Sequence, residues 1–163
     1  MRVLTDISDI TAIEEEWRAL STVDGNPFTT PDWYAAWLGH YGEGSAPFVV
    51  ASSADDGRLR GLVPLVLDGR RRGRVLRTAG GDLADYFHPV CRPEDEAEVM
   101  DAAAHALREH RAAWSSVVVR NANWQAGWPA ALAATKPGLA ISEGTAAGLP
   151  HIDVEGLDWD GYL

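Results

Sequence analysis

The apolar positions change period several times along the chain, and each change marks a new element. The opening MRVLTDI alternates loosely and predicts an edge strand. Residues 8–20 put Ile10, Ile13, Trp17 and Leu20 at helical spacing, with Ser8 or Asp9 as the cap. GNPF, residues 25–28, closes that unit. Thr30 and Pro31 then supply an N-cap and a first helical residue. Trp33, Trp37 and Tyr41 follow on one face, and Gly42 stops this second helix.

From residue 46 the period shortens. APFVVASS (46–53) and RLRGLVPLVLD (58–68) read as two strands, and ADDG between them makes a hairpin. GRRRG (69–73) is a further turn, leading into the strand RVLRTAG (74–80). A helix of about 18 residues is predicted from Pro93, with Ala97, Met100, Ala104, Leu107 and Arg111 as its inner stripe. SSVVVR (115–120) is a continuous apolar run of the kind buried on both faces. NANWQAGWPAALAAT predicts a short helix, and LAISEG and GLPHIDV predict paired closing strands. GLDWDGYL opens another helix, with Asp158 as N-cap, just before Leu163.

This order predicts one α/β domain over residues 1–163, a mixed and largely antiparallel sheet flanked by helices. Neither an internal repeat nor a linker interrupts it. A helix beginning so close to the last residue suggests a polypeptide cut near 157–163.

Composition narrows the function classes. Hydrophobic residues are 46% and charged ones 23%, a globular balance. The net charge of −10 repels a nucleic-acid backbone or an anionic membrane, so neither is expected as a partner. The start has no basic region followed by a long apolar run, and no stretch approaches the roughly 18 apolar residues of a membrane span. The single cysteine, Cys91, rules out an internal disulfide and suits a reducing cytoplasm, the expected location. Seven tryptophans either fill the core between layers or line a cleft.

The candidate chemistry gathers in GGDLADYFHPVCRPEDEAEV, residues 80–99. A glycine turn, an aromatic strand and a helix start in that order are the parts of a phosphate cradle. Here Pro93 removes an N–H donor, and Glu94, Asp95 and Glu96 put three acids in the first turn. Those acids suit the helix dipole and repel a pyrophosphate. Upstream, Asp82, Asp85, Tyr86 and His88 lie within seven residues. A carboxylate beside an imidazole makes a general-base pair, so Asp85 and His88 are the candidate catalytic residues. The plain alternative is a turn in which the aspartates cap backbone N–H groups and Tyr86 packs. His88 and Cys91 have metal-ligand spacing but no second pair, so no metal is expected. His105 and His110, five apart on a helix, point about 140° from each other and do not share an ion. The basic turn at residues 70–74 is either an anion site or solvated charge at a hairpin tip. Asn121, just after the apolar strand, either binds ligand or caps the next helix.

Three stretches taken together carry a resemblance. NPFTTPDWYAAWLGHYG, then RGLVPLVLDGRRRGRVLRTAGGDLADYFHPVCRPEDEAEVMDAAAHAL, then LPHIDVEGLDWDGYL resemble, in order, the first half of CelD-type acyltransferases of the GNAT superfamily. Those proteins are similar to Fem-type peptidyl transferases, which carry two GNAT-like halves in tandem. The resemblance implies a GNAT-like three-layer sandwich whose first half lacks the donor site, with acyl-CoA held by a second half of the same polypeptide. The donor signature [QR]-x-x-G-x-[GA] has no match here, since RRRGRV (70–75) ends in valine and lies in a hairpin. No cofactor is therefore expected on this half, and acetyl-CoA or another acyl-CoA is the expected donor of the full-length protein. The resemblance also puts an amine acceptor, small molecule or peptide, in a cleft between halves. Asp85 and Tyr86, with Phe28, Trp33 and Asn121, are the residues it implies for this half's wall. A non-catalytic binding domain on a degenerate GNAT fold is the competing expectation, and a self-sufficient small enzyme is a third.

Overall fold

The computed structural model describes residues 1–69, 73–84 and 87–122. The elements predicted beyond residue 122 lie outside the described residues, as do the basic tip at 70–72 and Asp85 and Tyr86.

The chain opens with β1 (Arg2–Leu4), α1 (Ile7–Thr11) and α2 (Glu14–Asp24). The spacing predicts one helix over 8–20, and the structure has two. The chain turns between them at Ala12 and Ile13, which buries both Ile10 and Ile13 and puts Glu14, Glu15 and Glu16 in a new first turn. Acids there favour a fresh helix start through the helix dipole. The cap of α1 is correspondingly Asp6, ahead of the predicted Ser8 or Asp9. Gly25 ends α2 with φ +74°, a left-handed C-cap.

A short 3-10 turn (Pro27–Thr29) leads into α3 (Pro31–Tyr41), where the Thr30 hydroxyl accepts from the Trp33 N–H as predicted. The buried face of α3 is Tyr34 and Trp37, while Trp33 is half-buried and Tyr41 is exposed. Tyr34 takes the inner place expected of Tyr41. Its hydroxyl donates to the Leu65 carbonyl at 2.8 Å, which lets a buried phenol keep its hydrogen bond.

Next come the hairpin β2 (Ala46–Ser53) and β3 (Leu59–Asp68), then β4 (Val75–Thr78), β5 (Val90–Cys91), a 3-10 turn (Pro93–Asp95) running into α4 (Glu96–Glu109), and β6 (Ser116–Val118). The sheet order is β1-β2-β3-β4-β6, with β5 on β3. Among the described strands the pairings are antiparallel except β4 with β6, the two strands joined across α4.

Helices cover both faces. Trp17, Leu20, Tyr34 and Trp37 pack on Val49, Ala51, Leu62 and Val66 of one face. Val99, Met100, Ala103 and Leu107 of α4 pack on Phe48, Val50, Val63 and Leu65 of the other. The fold is thus a three-layer α/β sandwich. The run buried on both faces is the hairpin, not residues 116–118, where Ser116 and Val118 are exposed. β6 is paired only with β4 among the described residues. The stripe of α4 also shifts: Ala97 and Arg111 are exposed, and Val99, Ala103 and Ala106 are buried. Gly61 makes that packing possible, since a Cβ there would lie 2.6 Å from the Cys91 Cβ and 2.7 Å from the Val99 Cγ2.

Candidate functional site

β4 and β5 are two parts of one line along β3. Thr78 pairs with Leu65 and Val90 pairs with Leu62, so the chain leaves the β3 ladder after Thr78 and is back on it at Val90. Pro64 lies in the interrupted stretch of β3. A proline inside a central strand signals such a break, because it has no N–H to give a ladder. The excursion carries most of the chemistry-bearing residues expected from the sequence.

Its first turn is Gly80–Gly81, with φ +101° and +50°. A Cβ on Gly80 would lie 2.7 Å from the Ala84 Cβ and 3.2 Å from the Trp33 Nε1, so this backbone comes close to α3 only as glycine. The Trp33 indole N–H is buried there without a hydrogen-bond partner. Phe28 meets Trp33 edge to face, with centroids 5.0 Å apart. These two predicted wall residues therefore form one aromatic unit against the turn.

Asn121 works on the far side. Its Nδ2 donates to the Ala84 carbonyl at 2.7 Å, and its own carbonyl accepts from the Phe87 N–H at 2.8 Å. Phe87 also bridges to Ala122 in parallel fashion. Asn121 adopts φ +53°, a left-handed conformation that asparagine tolerates better than most residues. It therefore grips the excursion on both sides of Asp85 and Tyr86.

His88 is fixed by a network the sequence did not suggest. Its Nδ1 faces the Pro89 carbonyl at 2.9 Å, which requires the proton to be on Nδ1. Its Nε2 lies 3.2 Å from Asp24 Oδ1 and 3.3 Å from Asn26 Nδ2. A neutral ring accepts from the Asn26 amide, and a charged ring donates to Asp24. Asp24 Oδ2 accepts from the Thr29 hydroxyl at 2.8 Å, and Asn26 Oδ1 accepts from the Phe28 N–H at 3.0 Å. The Trp17 indole N–H and the Ser21 hydroxyl both donate to the Thr29 carbonyl, joining this network to the core. Sequence reasoning misses Asp24 and Asn26 because their partner is 62 or more residues away. The one local hint is Asn26 before Pro27, an Asx-type turn.

At the start of α4, Glu94 is exposed and Asp95 and Glu96 are half-buried, with Asp95 paired to Arg60 at 3.6 Å. Burial, together with the charges of Glu96 and Asp95, pushes the Cys91 thiol up to about 12. It stays protonated near neutrality. Three acids in this short stretch disfavour a pyrophosphate at the helix start.

The architecture matches a solved structure described as the crystal structure of a probable acetyltransferase. The TM-score is 0.53 at 14% identity, over 94% of this chain and 99% of that one. The chain shares its fold. Among the described residues that fold is a mostly antiparallel sheet flanked by helices, with β4 and β6 joined across α4. No protein-family model matches the chain, and no curated protein does. Among the described residues no helix is long and apolar enough to cross a membrane.

Proposed function

We propose that this chain is the acceptor-side, GNAT-like half of an N-acyltransferase that moves an acyl group from acyl-CoA to an amine. The observation that carries the reading is the excursion at residues 79–89, opened where β4 and β5 part along β3 and walled by Phe28 and Trp33. The acid-fronted start of α4 supports a donor site elsewhere, on a second GNAT-like half related to CelD-type and Fem-type proteins.

The chemistry needs an unprotonated amine held in line with a thioester carbonyl, and positioning supplies much of the rate. Asp85 is the proposed base and Tyr86 a wall residue of the acceptor cleft. Asn121 holds the backbone on either side of them. His88, with both ring nitrogens engaged, acts by fixing the far end of the same excursion rather than by taking the proton itself.

A second reading has one observation of its own. The probable acetyltransferase is covered over 99% of its length by this chain, which favours a self-contained acetyltransferase of this size. Calorimetric titration of acetyl-CoA into this chain and into the full-length gene product separates the readings. Heat from the full-length protein alone supports the half-enzyme, and micromolar binding by this chain supports the self-contained enzyme. Silence from both leaves a binding domain without catalysis. Within a working transferase, Asp85→Asn should abolish most turnover, and unchanged turnover removes Asp85 as base.

A further inference from the structure

Arg77 has a use that the fold leaves incomplete. It sits on β4 with its side chain on the α3 face, where the guanidinium lies 4.8 Å from the centroid of the Trp37 ring. Its Nε donates to Asp68 Oδ2 at 2.9 Å. These two contacts fix the group by its face and its inner nitrogen. An arginine–carboxylate pair commonly engages two N–H groups of the fork, and this one uses Nε alone. Among the described residues no hydrogen bond reaches Nη1 or Nη2.

The unused edge points at the glycine turn. A Cβ on Gly81 would lie 3.5 Å from Arg77 Nη1, and a Cβ on Gly80 would lie 3.2 Å from the unpartnered Trp33 Nε1. Two N–H-bearing groups thus border one glycine pair, which has no side chain to compete for them. Across the ladder from Arg77 stands Val118, 39% exposed, so the cation has an apolar neighbour open to solvent. The place offers a preorganised guanidinium edge and an apolar strip, with the indole N–H buried behind the turn.

We propose that this ledge is a subsite for an oxyanion, a carboxylate or a phosphate group, carried on a small organic molecule and held by the outer edge of Arg77. Its assignment to the amine acceptor rests on the acyltransferase reading, and makes the acceptor an amine that bears an acidic group. Binding of the oxyanion itself does not depend on that reading.

The test is a titration of acetate, and separately of inorganic phosphate, into the protein at constant ionic strength. The indole and guanidinium N–H resonances are followed by NMR, with Trp33→Phe and Arg77→Lys assigning the two signals. Saturable shifts at Arg77 and Trp33 are expected. Arg77→Gln should weaken them by ~tenfold or more, since the charge-assisted fork is lost. Asp68→Asn should tighten binding, because it removes the carboxylate that shares the cation. Val118→Glu changes an exposed residue and leaves the core intact; it should block the ledge with an internal carboxylate, which keeps the test open if Arg77→Gln fails to fold. Stronger binding of acetate assigns a carboxylate, and stronger binding of phosphate assigns a phosphate. No saturable shift with either anion, or the same shift in Val118→Glu, overturns the subsite. Anion binding without acyl transfer by the full-length protein keeps the subsite and removes the transferase reading; acyl transfer without anion binding does the reverse.

Discussion

Among the described residues, two places have the local geometry to receive a negative charge, and they are built in opposite ways. The start of α4 is a helix N-terminus, the ordinary home of a phosphate. Here Pro93 gives no N–H, and Glu94, Asp95 and Glu96 set three acids at the positive end of the dipole. The Gly80–Gly81 turn lies where a strand leaves the sheet. Its two residues carry no side chain, and it is bordered by the Arg77 edge and the Trp33 indole N–H. The difference teaches where anion chemistry is still possible on an acidic chain. A helix dipole already answered by three carboxylates has little left for a ligand, whereas a cation held by one carboxylate through a single N–H keeps a free edge.

The strongest way to break this comparison is Gly80→Val. The new side chain needs φ +101° and space already taken by Ala84, so a loss of about 3 kcal/mol is expected from urea unfolding. A stability change below about 1 kcal/mol would mean the turn is not held against α3 as described. Asn121→Ala removes the bond to the Ala84 carbonyl and keeps an unfavourable left-handed backbone, an expected loss of about 2 kcal/mol. Asn121→Gly relieves the backbone term and should cost about 1 kcal/mol. Faster hydrogen exchange at the Phe87 N–H in both variants would show that the grip on the excursion is gone.

Neutralising the helix start sharpens the other side. The combined change Glu94→Gln, Asp95→Asn and Glu96→Gln should lower stability by about 0.3–1 kcal/mol per residue, as the dipole loses its complement. It should create no acetyl-CoA affinity in this chain, because Pro93 still lacks its N–H. Calorimetric binding by the triple variant would show that charge alone had closed a donor site.

The smallest effect near neutrality is at Tyr34, in the core under α3. Burial holds the Tyr34 phenol well above its ordinary 10.0. The native state thus keeps a proton that the unfolded chain gives up, so the stability from this group is complete below pH 10 and falls as pH rises beyond it. The urea midpoint should therefore drop between about pH 9 and pH 11. Tyr34→Phe should cost about 1 kcal/mol at neutral pH through the lost bond to Leu65, and should flatten that alkaline slope.

Much of the framework is legible in the amino-acid sequence. The hairpin, the Thr30–Pro31 cap, the Gly25 and Gly42 stops and the long helix after Pro93 all rest on short-range rules of period, capping and turn chemistry. The acids that close the α4 start are legible for the same reason, since a helix dipole acts within one turn. Sequence and structure part where local rules tie. Tyr41 and Tyr34 both suit an apolar face at helical spacing, and only the sheet beneath α3 chose Tyr34. The run SVV reads as a buried strand, and its place beside β4 left Ser116 and Val118 exposed.

The site belongs mostly to the tertiary structure. Asp85, Tyr86 and His88 form a cluster in sequence, yet what surrounds His88 is Asp24 and Asn26 from the end of α2, and what grips the excursion is Asn121 from beyond β6. Arg77 reads as an ordinary strand residue until Trp37, Asp68 and the glycine turn are brought around it. By itself the sequence determined most of the elements described up to residue 122, their order and the negative charge, because period, caps and ionisable residues are properties of neighbours along the chain. Which donors were left unpaired beside which turn was decided only by folding. Hydrogen bonds and ring contacts are short-ranged in space, and their partners here come from residues 24 to 121.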